Sequence, residues 1–232
     1  MDYAMRIDKF LADMGFGTRN EVKKMLRNGY VEMDGIPIKK ADTKVDIDTI
    51  VYVDGQPVQY IENEYYLLYK PSGYICARED GRYPTVMELI QSYKNDLSPV
   101  GRLDLDTEGV LLITNDGDLN HKLLSPKNHV EKKYYVEVDK ALPDDAKELF
   151  SQPMEFEDFI SKPAQYEQID ETSAYLTITE GKFHQVKRMF EKIGCTVTYL
   201  RRDAFDFLTL DGLNPGEYRE LNEEELKRLK ER

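Results

Sequence analysis

The chain has 232 residues, 41% apolar and 33% charged, with a formal net charge of -12; that length suits one large domain, or a small module followed by a medium one. No apolar run approaches the roughly 18 residues a membrane span requires, the N-terminal stretch lacks the basic start and apolar run of a secretion signal, and two cysteines, Cys76 and Cys195, cannot build a disulfide framework. A protein of the reducing cytoplasm, without membrane contact, is expected, and its acidity argues against a nucleic-acid partner unless positive charge is gathered locally.

Ile7, Phe10, Leu11 and Met14 fall at helical spacing, so one face of a first short helix is apolar. After Gly15 and Gly17, Thr18-Arg-Asn-Glu21 has the form of a capping box, in which the hydroxyl takes an orphan amide and the glutamate reaches back. The helix that follows turns Val22, Met25 and Leu26 inward and carries Arg19, Lys23, Lys24 and Arg27 on its other faces, and Gly29 ends it. Residues 30–33 and 36–38 read as strands about the tight turn Asp34-Gly35, and residues 50–53 add a strand ending at Asp54-Gly55. With Lys39 and Lys40, residues 19–40 form a first basic patch, which read alone is equally a solvated face.

Residues 59–64 are polar enough to be a linker. Beyond them, 66–69 reads as a strand, Lys70-Pro71-Ser72-Gly73 as a turn and 85–90 as a short helix. The run Val110-Leu-Leu-Ile-Thr114 suits a strand buried on both faces, and Asn115-Asp-Gly-Asp118 turns the chain. Residues 130–138 alternate as a strand, 144–150 are helical, 175–179 form a strand, and Gly181 leads into a helix over 182–192. Strands at 197–200 and 207–210 follow, and Asn222 with Glu225 caps a last charged helix. Lys182, Lys187, Arg188, Lys192, Arg201 and Arg202 face Glu191 alone within 181–202, a second basic patch. Strands outnumber helices and connections are short, so the expected class is α+β, a mixed, largely antiparallel sheet with peripheral helices.

The unit of two helices and a hairpin resembles the S4 RNA-binding domain. The match rests on Arg6-Ile-Asp-Lys-Phe10 and on Thr18-Arg-Asn-Glu-Val22 running through Arg27, Gly29, Val31 and Asp34-Gly35. The organisation expected is an S4-like domain over 1–58, a linker over 59–64 and a second domain over 65–232. The resemblance implies that Arg19, Lys23, Lys24 and Arg27 contact folded RNA, whose deep major groove side chains cannot read and whose shape a basic surface can match.

The segment Gly101-Arg-Leu-Asp-Leu-Asp-Thr-Glu-Gly109 packs carboxylates beside a buried strand, the setting in which functional ionisations arise. A turn of this composition can simply satisfy its own backbone. It also imitates the start of a calcium loop, but the twelfth position is Asn115 in place of the bidentate glutamate, and a buried strand follows where a helix would. The same residues resemble the catalytic signature of the RsuA-type pseudouridine synthases. Glu131-Lys-Lys-Tyr-Tyr-Val136 resembles that family's second motif and Glu180-Gly-Lys-Phe-His-Gln-Val-Lys-Arg-Met-Phe190 its third; Lys70-Pro-Ser-Gly73 and the S4-like head stand in the family's order.

That resemblance implies isomerisation of uridine to its C-glycoside, a redox-neutral rearrangement for which no cofactor and no metal is expected. It assigns Asp104 as the nucleophile, at the sugar or at the base. A carboxylate in a water-excluding site needs a cation to stay ionised; the matching family position is Lys187, where many relatives carry arginine, with Arg188 or Arg102 as alternatives. Tyr134 matches the tyrosine that stacks on the extruded base, or is a core tyrosine on the inward face of its strand, with Tyr135 on the opposite face. Asp106 is expected to brace the turn, and His184 to be structural or to contact phosphate, as Lys182 would. The stretch Asn120-His-Lys-Leu-Leu-Ser-Pro-Lys-Asn-His-Val130 resembles the branch acting on 16S, small-subunit ribosomal RNA. The expected partner is that RNA, bound by a monomer. Two alternatives stand: a synthase acting on 23S rRNA, and a non-catalytic S4-type protein of ribosome assembly that uses its second domain for docking.

Overall fold

The computed structural model describes residues 4–232; the first three, part of the stretch read for a secretion signal, lie outside the described residues. The chain divides into two compact units, Met1–Asn63 with Gln91–Asp96, and Glu64–Ile90 with Leu97–Arg232.

The first unit runs β1 (Ala4–Arg6), α1 (Ile7–Asp13), α2 (Arg19–Arg27), β2 (Val31–Met33), β3 (Ile36–Pro37), β4 (Lys44–Asp46), β5 (Val51–Val53) and β6 (Gln56–Val58). The start of α2 is set by side-chain chemistry: the Glu21 amide donates to Thr18 Oγ1 at 3.3 Å, and the Thr18 amide donates to Glu21 Oε2 at 2.7 Å. Val22 and Leu26 pack on Ile7, Phe10 and Leu11. Away from that core Arg19, Lys24 and Arg27 are exposed and Lys23 is half-buried. Asp34 and Gly35, and again Asp54 and Gly55, take positive φ, the requirement of two-residue turns whose twist matches the strands they join. Those hairpins build a sheet of order β3-β2-β5-β6, while β1 pairs separately with β4. Residues 91–96 cluster with the first unit, where Tyr93 lies against Gly15 and Lys94 sits 5.3 Å from the Tyr60 ring centre.

The second unit runs β7 (Tyr65–Lys70), β8 (Ser98–Pro99), β9 (Glu108–Thr114), α3 (Gly117–Leu124), β10 (Lys132–Val138), α4 (Ala146–Phe150), β11 (Gln165–Gln168), β12 (Ser173–Ile178), α5 (Gln185–Lys192), β13 (Val197–Phe205), β14 (Leu208–Thr209), β15 (Tyr218–Glu220) and α6 (Glu223–Glu231). The sheet has the order β11-β12-β10-β13-β9-β7-β15, with β8 on β9 and β14 on β13. Every pairing is antiparallel except β13 with β9, so the α+β class and the mixed sheet are as expected.

Alternation along β7 and β9 explains why their sequences read as unbroken apolar runs. Leu68, Leu111 and Ile113 enter the core that also holds Phe150, Met189 and Phe190 of α4 and α5. Leu67, Val110 and Leu112 enter a second core with Leu119 and Leu123 of α3 and Leu229 of α6. A strand covered on both faces has no polar side to display.

Residues 115–118 do more than turn the chain. Asp116 Oδ1 accepts from the Leu119 amide at 2.9 Å and so caps α3; the helix is only eight residues long and begins Gly-Asp, composition that reads as a turn. Strand β13 is continuous through Phe205, past the end expected at 200, and the reversal comes at Asp206, at φ 54°.

Candidate active site

Three stretches distant in sequence meet in one cleft: residues 101–107 ahead of β9, strand β10, and the chain entering α5. Asp104, Thr107, Tyr134, Lys182, His184 and Lys187 line it, with exposed Arg102 at its edge. The parallel pair β13–β9, which sets Arg202 opposite Gly109, anchors the turn that carries Asp104. Helix α5 is held by Val186, Met189 and Phe190; the Phe190 ring lies 4.9 Å from that of Phe150. Its opposite edge presents Lys187.

Lys187 Nζ lies 3.3 Å from Asp104 Oδ2 and donates to Asp106 Oδ1 at 2.6 Å. Burial pulls the ammonium toward its neutral form, but the hydrogen bond to Asp106 and the charges of both carboxylates outweigh this and raise its pKa. For Asp106, burial pushes upward and is outweighed by the hydrogen bond and charge of Lys187, so its pKa falls below the usual carboxylate range. Asp106 was expected to brace its own turn; its largely exposed side chain instead shares the lysine with Asp104. The linkage signs follow from these directions. The raised lysine stabilises the fold until pH rises through its folded pKa, and the depressed carboxylate stabilises it until pH falls through its own. Asp106→Asn should therefore melt lower than the wild type at neutral pH, by a margin that closes as acid protonates the carboxylate. A margin in thermal unfolding that stays constant from neutral to acid pH would contradict the pairing.

The geometry also separates Arg188 from His184. Arg188, next along α5, projects to a different side of the helix and makes two hydrogen bonds to Asp158, at 2.5 and 3.2 Å, with its guanidinium over Phe156 and Phe159; it is not the partner of Asp104. His184, expected to be structural or to contact phosphate, is half-exposed, takes φ 50° at the start of α5, and places Nε2 3.5 Å from Asp104 Oδ1.

Tyr134 is buried and lines the cleft from β10, while Tyr135 on the opposite face meets Tyr175 and Tyr199 edge to face. The residues expected in the RNA-binding helix, Arg19, Lys23, Lys24 and Arg27, belong to the first unit. Arg19 lies 3.5 Å from Asp8.

Sequence reading missed two contributors. Lys70, read as the start of a turn, is fully buried, and its ammonium donates to the carbonyls of Pro71, Leu105 and Thr107 at 3.1, 3.3 and 2.7 Å. It therefore ties down the turn that carries Asp104. Burial lowers its pKa, against the opposing charges of Cys76, Asp106 and Asp104. Phe183 is 72% exposed and stacks on His184, with centroids 3.7 Å apart. An exposed aromatic ring stacked on His184 was legible only as one letter of a motif.

The cleft thus holds a carboxylate beside a lysine and a buried tyrosine, on a mixed sheet that follows a module with a basic helix in the chain. The RNA pseudouridylate synthase family model matches residues 64–192, and the S4 domain model matches residues 5–51. An uncharacterized RNA pseudouridine synthase of Bacillus subtilis (strain 168) is 46% identical, covering 98% of this chain and 99% of its own. The ribosomal small subunit pseudouridine synthase A of Escherichia coli (strain K12) is 39% identical, over 96% and 98%. A crystal structure of a pseudouridylate synthase superposes with a TM-score of 0.69 at 33% identity, over 97% of this chain and 99% of that one. The chain belongs to the RNA pseudouridine synthases that carry an S4 domain.

Proposed function

We propose that this enzyme isomerises a uridine of 16S, small-subunit ribosomal RNA to pseudouridine, with the Asp104 carboxylate as nucleophile. The observation that carries the reading is the clamp on Asp104, which has Lys187 Nζ at 3.3 Å in the cleft that Tyr134 also lines. The reaction breaks the bond from ribose C1′ to N1, turns the base and joins C1′ to C5; the proton lost from C5 is balanced by one gained at N1. Asp104 attaches covalently to one fragment, the sugar or the base, while the bond is open and is expelled as the product forms. Lys187 sets an ammonium 3.3 Å from that carboxylate, a fixed positive charge beside the nucleophile. Tyr134 offers a ring to the extruded uracil, replacing part of the stacking that the base forfeits on leaving the helix. Arg102, Lys182 and Phe183 at the rim take the flanking nucleotides, and Arg19, Lys23, Lys24 and Arg27 grip folded RNA through the first unit. The isomerisation is redox-neutral and draws on no cofactor.

The small-subunit assignment is supported by residues 120–130 and by the name of the Escherichia coli relative, 39% identical over nearly the whole chain. Its test is a map of pseudouridines in 16S and 23S rRNA from cells with and without the gene. One 16S position should lose its modification and regain it on complementation. Loss at a 23S position alone would move the substrate to the large subunit, and unchanged maps would favour the non-catalytic assembly reading.

A further inference from the structure

Among the described residues, five buried side-chain atoms have no hydrogen-bond partner: Thr107 Oγ1, Asn120 Oδ1, Tyr166 Oη, Ser173 Oγ and Arg202 Nη2. Only Thr107 among them lines the cleft of Asp104. Its main chain is held on both sides. The Thr107 amide donates to the Asp104 carbonyl at 3.1 Å, its carbonyl accepts from Lys70 Nζ at 2.7 Å, and the residue is 2% exposed. Leaving a buried hydroxyl unpaired is costly, and an isosteric valine would fill the same space without that cost. Three polar side chains of the same cleft are engaged: Lys187 and His184 with Asp104, and Gln185 with Glu180 and the Lys182 amide.

We propose that the Thr107 hydroxyl is a substrate contact, taking a hydrogen bond from or giving one to the uridine held against Asp104. The chemistry is that of a nucleoside polar group, a ribose hydroxyl or a base carbonyl. An unpaired hydroxyl on a rigid backbone beside the nucleophile is complementary to the bound nucleoside and to nothing in the free protein. The contact orients the nucleoside for attack more than it selects the base, since a hydroxyl can rotate to donate or accept. The inference rests on the uridine-isomerising reading.

The test compares wild type, Thr107→Val and Thr107→Ser in tritium release from small-subunit rRNA labelled at uridine C5, alongside thermal unfolding. Thr107→Val should lose about tenfold to hundredfold in kcat/KM, Thr107→Ser should recover most of it, and Thr107→Val should melt no lower than the wild type. Wild-type turnover by Thr107→Val would overturn the proposal, as would a lowered melting temperature that accounts for the lost activity, because the hydroxyl would then serve the fold. Absence of release by the wild type would overturn the function as well, whereas a fully active valine variant overturns this inference alone. Gel-shift affinity for the RNA carrying 2′-deoxyuridine at the modified position separates the two sources. The variant's binding deficit vanishes if the partner is the ribose hydroxyl and persists if it is the base; no deficit on the unaltered RNA would overturn the contact.

Discussion

Gly109→Ala should lower the melting temperature of the second unit by about 10 °C or more, from a loss of at least about 3 kcal/mol. Gly109 sits at φ +115°, and a Cβ there would lie 2.2 Å from the Arg202 carbonyl oxygen and 2.5 Å from its nitrogen. Both atoms are backbone in the one parallel pairing of the sheet, Arg202 opposite Gly109, so no side chain can rotate aside. Either β13 moves off β9 or Gly109 leaves its conformation. The same displacement would shift the turn that carries Asp104, so activity should fall with stability. Thermal unfolding of the purified variant checks this, and a melting temperature within about 2 °C of the wild type would contradict the packing.

That clash shows what could and could not be read in the chain. Gly109 stands out as the last residue of a signature, yet the strand that needs it is almost a hundred residues away, and no local pattern names Arg202 as its neighbour. The capping box at Thr18 and the doubly buried β9 were legible because each depends on residues within one turn or one strand. Helix α3 was not, because its cap and first residues share their composition with turns. The meeting of Asp104, Tyr134 and Lys187 was expected through family resemblance, and the three do line one cleft. The finer arrangement depended on side-chain direction. Lys187 and Arg188 are adjacent in sequence but leave α5 at different angles, so one reaches Asp104 while the other reaches Asp158. The overall acidity hides local charge in the same way: basic side chains gather on α2 and on α5 and the residues just before it, and a net charge averages them away.

Asp104→Asn should lower turnover by at least about four orders of magnitude while changing stability by less than about 1 kcal/mol. The amide has nearly the shape of the carboxylate and no nucleophilic oxygen anion. Lys187 keeps its 2.6 Å hydrogen bond to Asp106, so the substitution strands no buried cation. Loss of activity without loss of fold thus separates a chemical role from a structural one, and it separates the enzyme from a protein that only binds RNA. The decisive measurement is tritium release from small-subunit rRNA labelled at uridine C5, by wild type and Asp104→Asn shown to unfold at matching temperatures. Release by the wild type with none above background from the variant is the expected result; equal release by both would contradict the role given to Asp104.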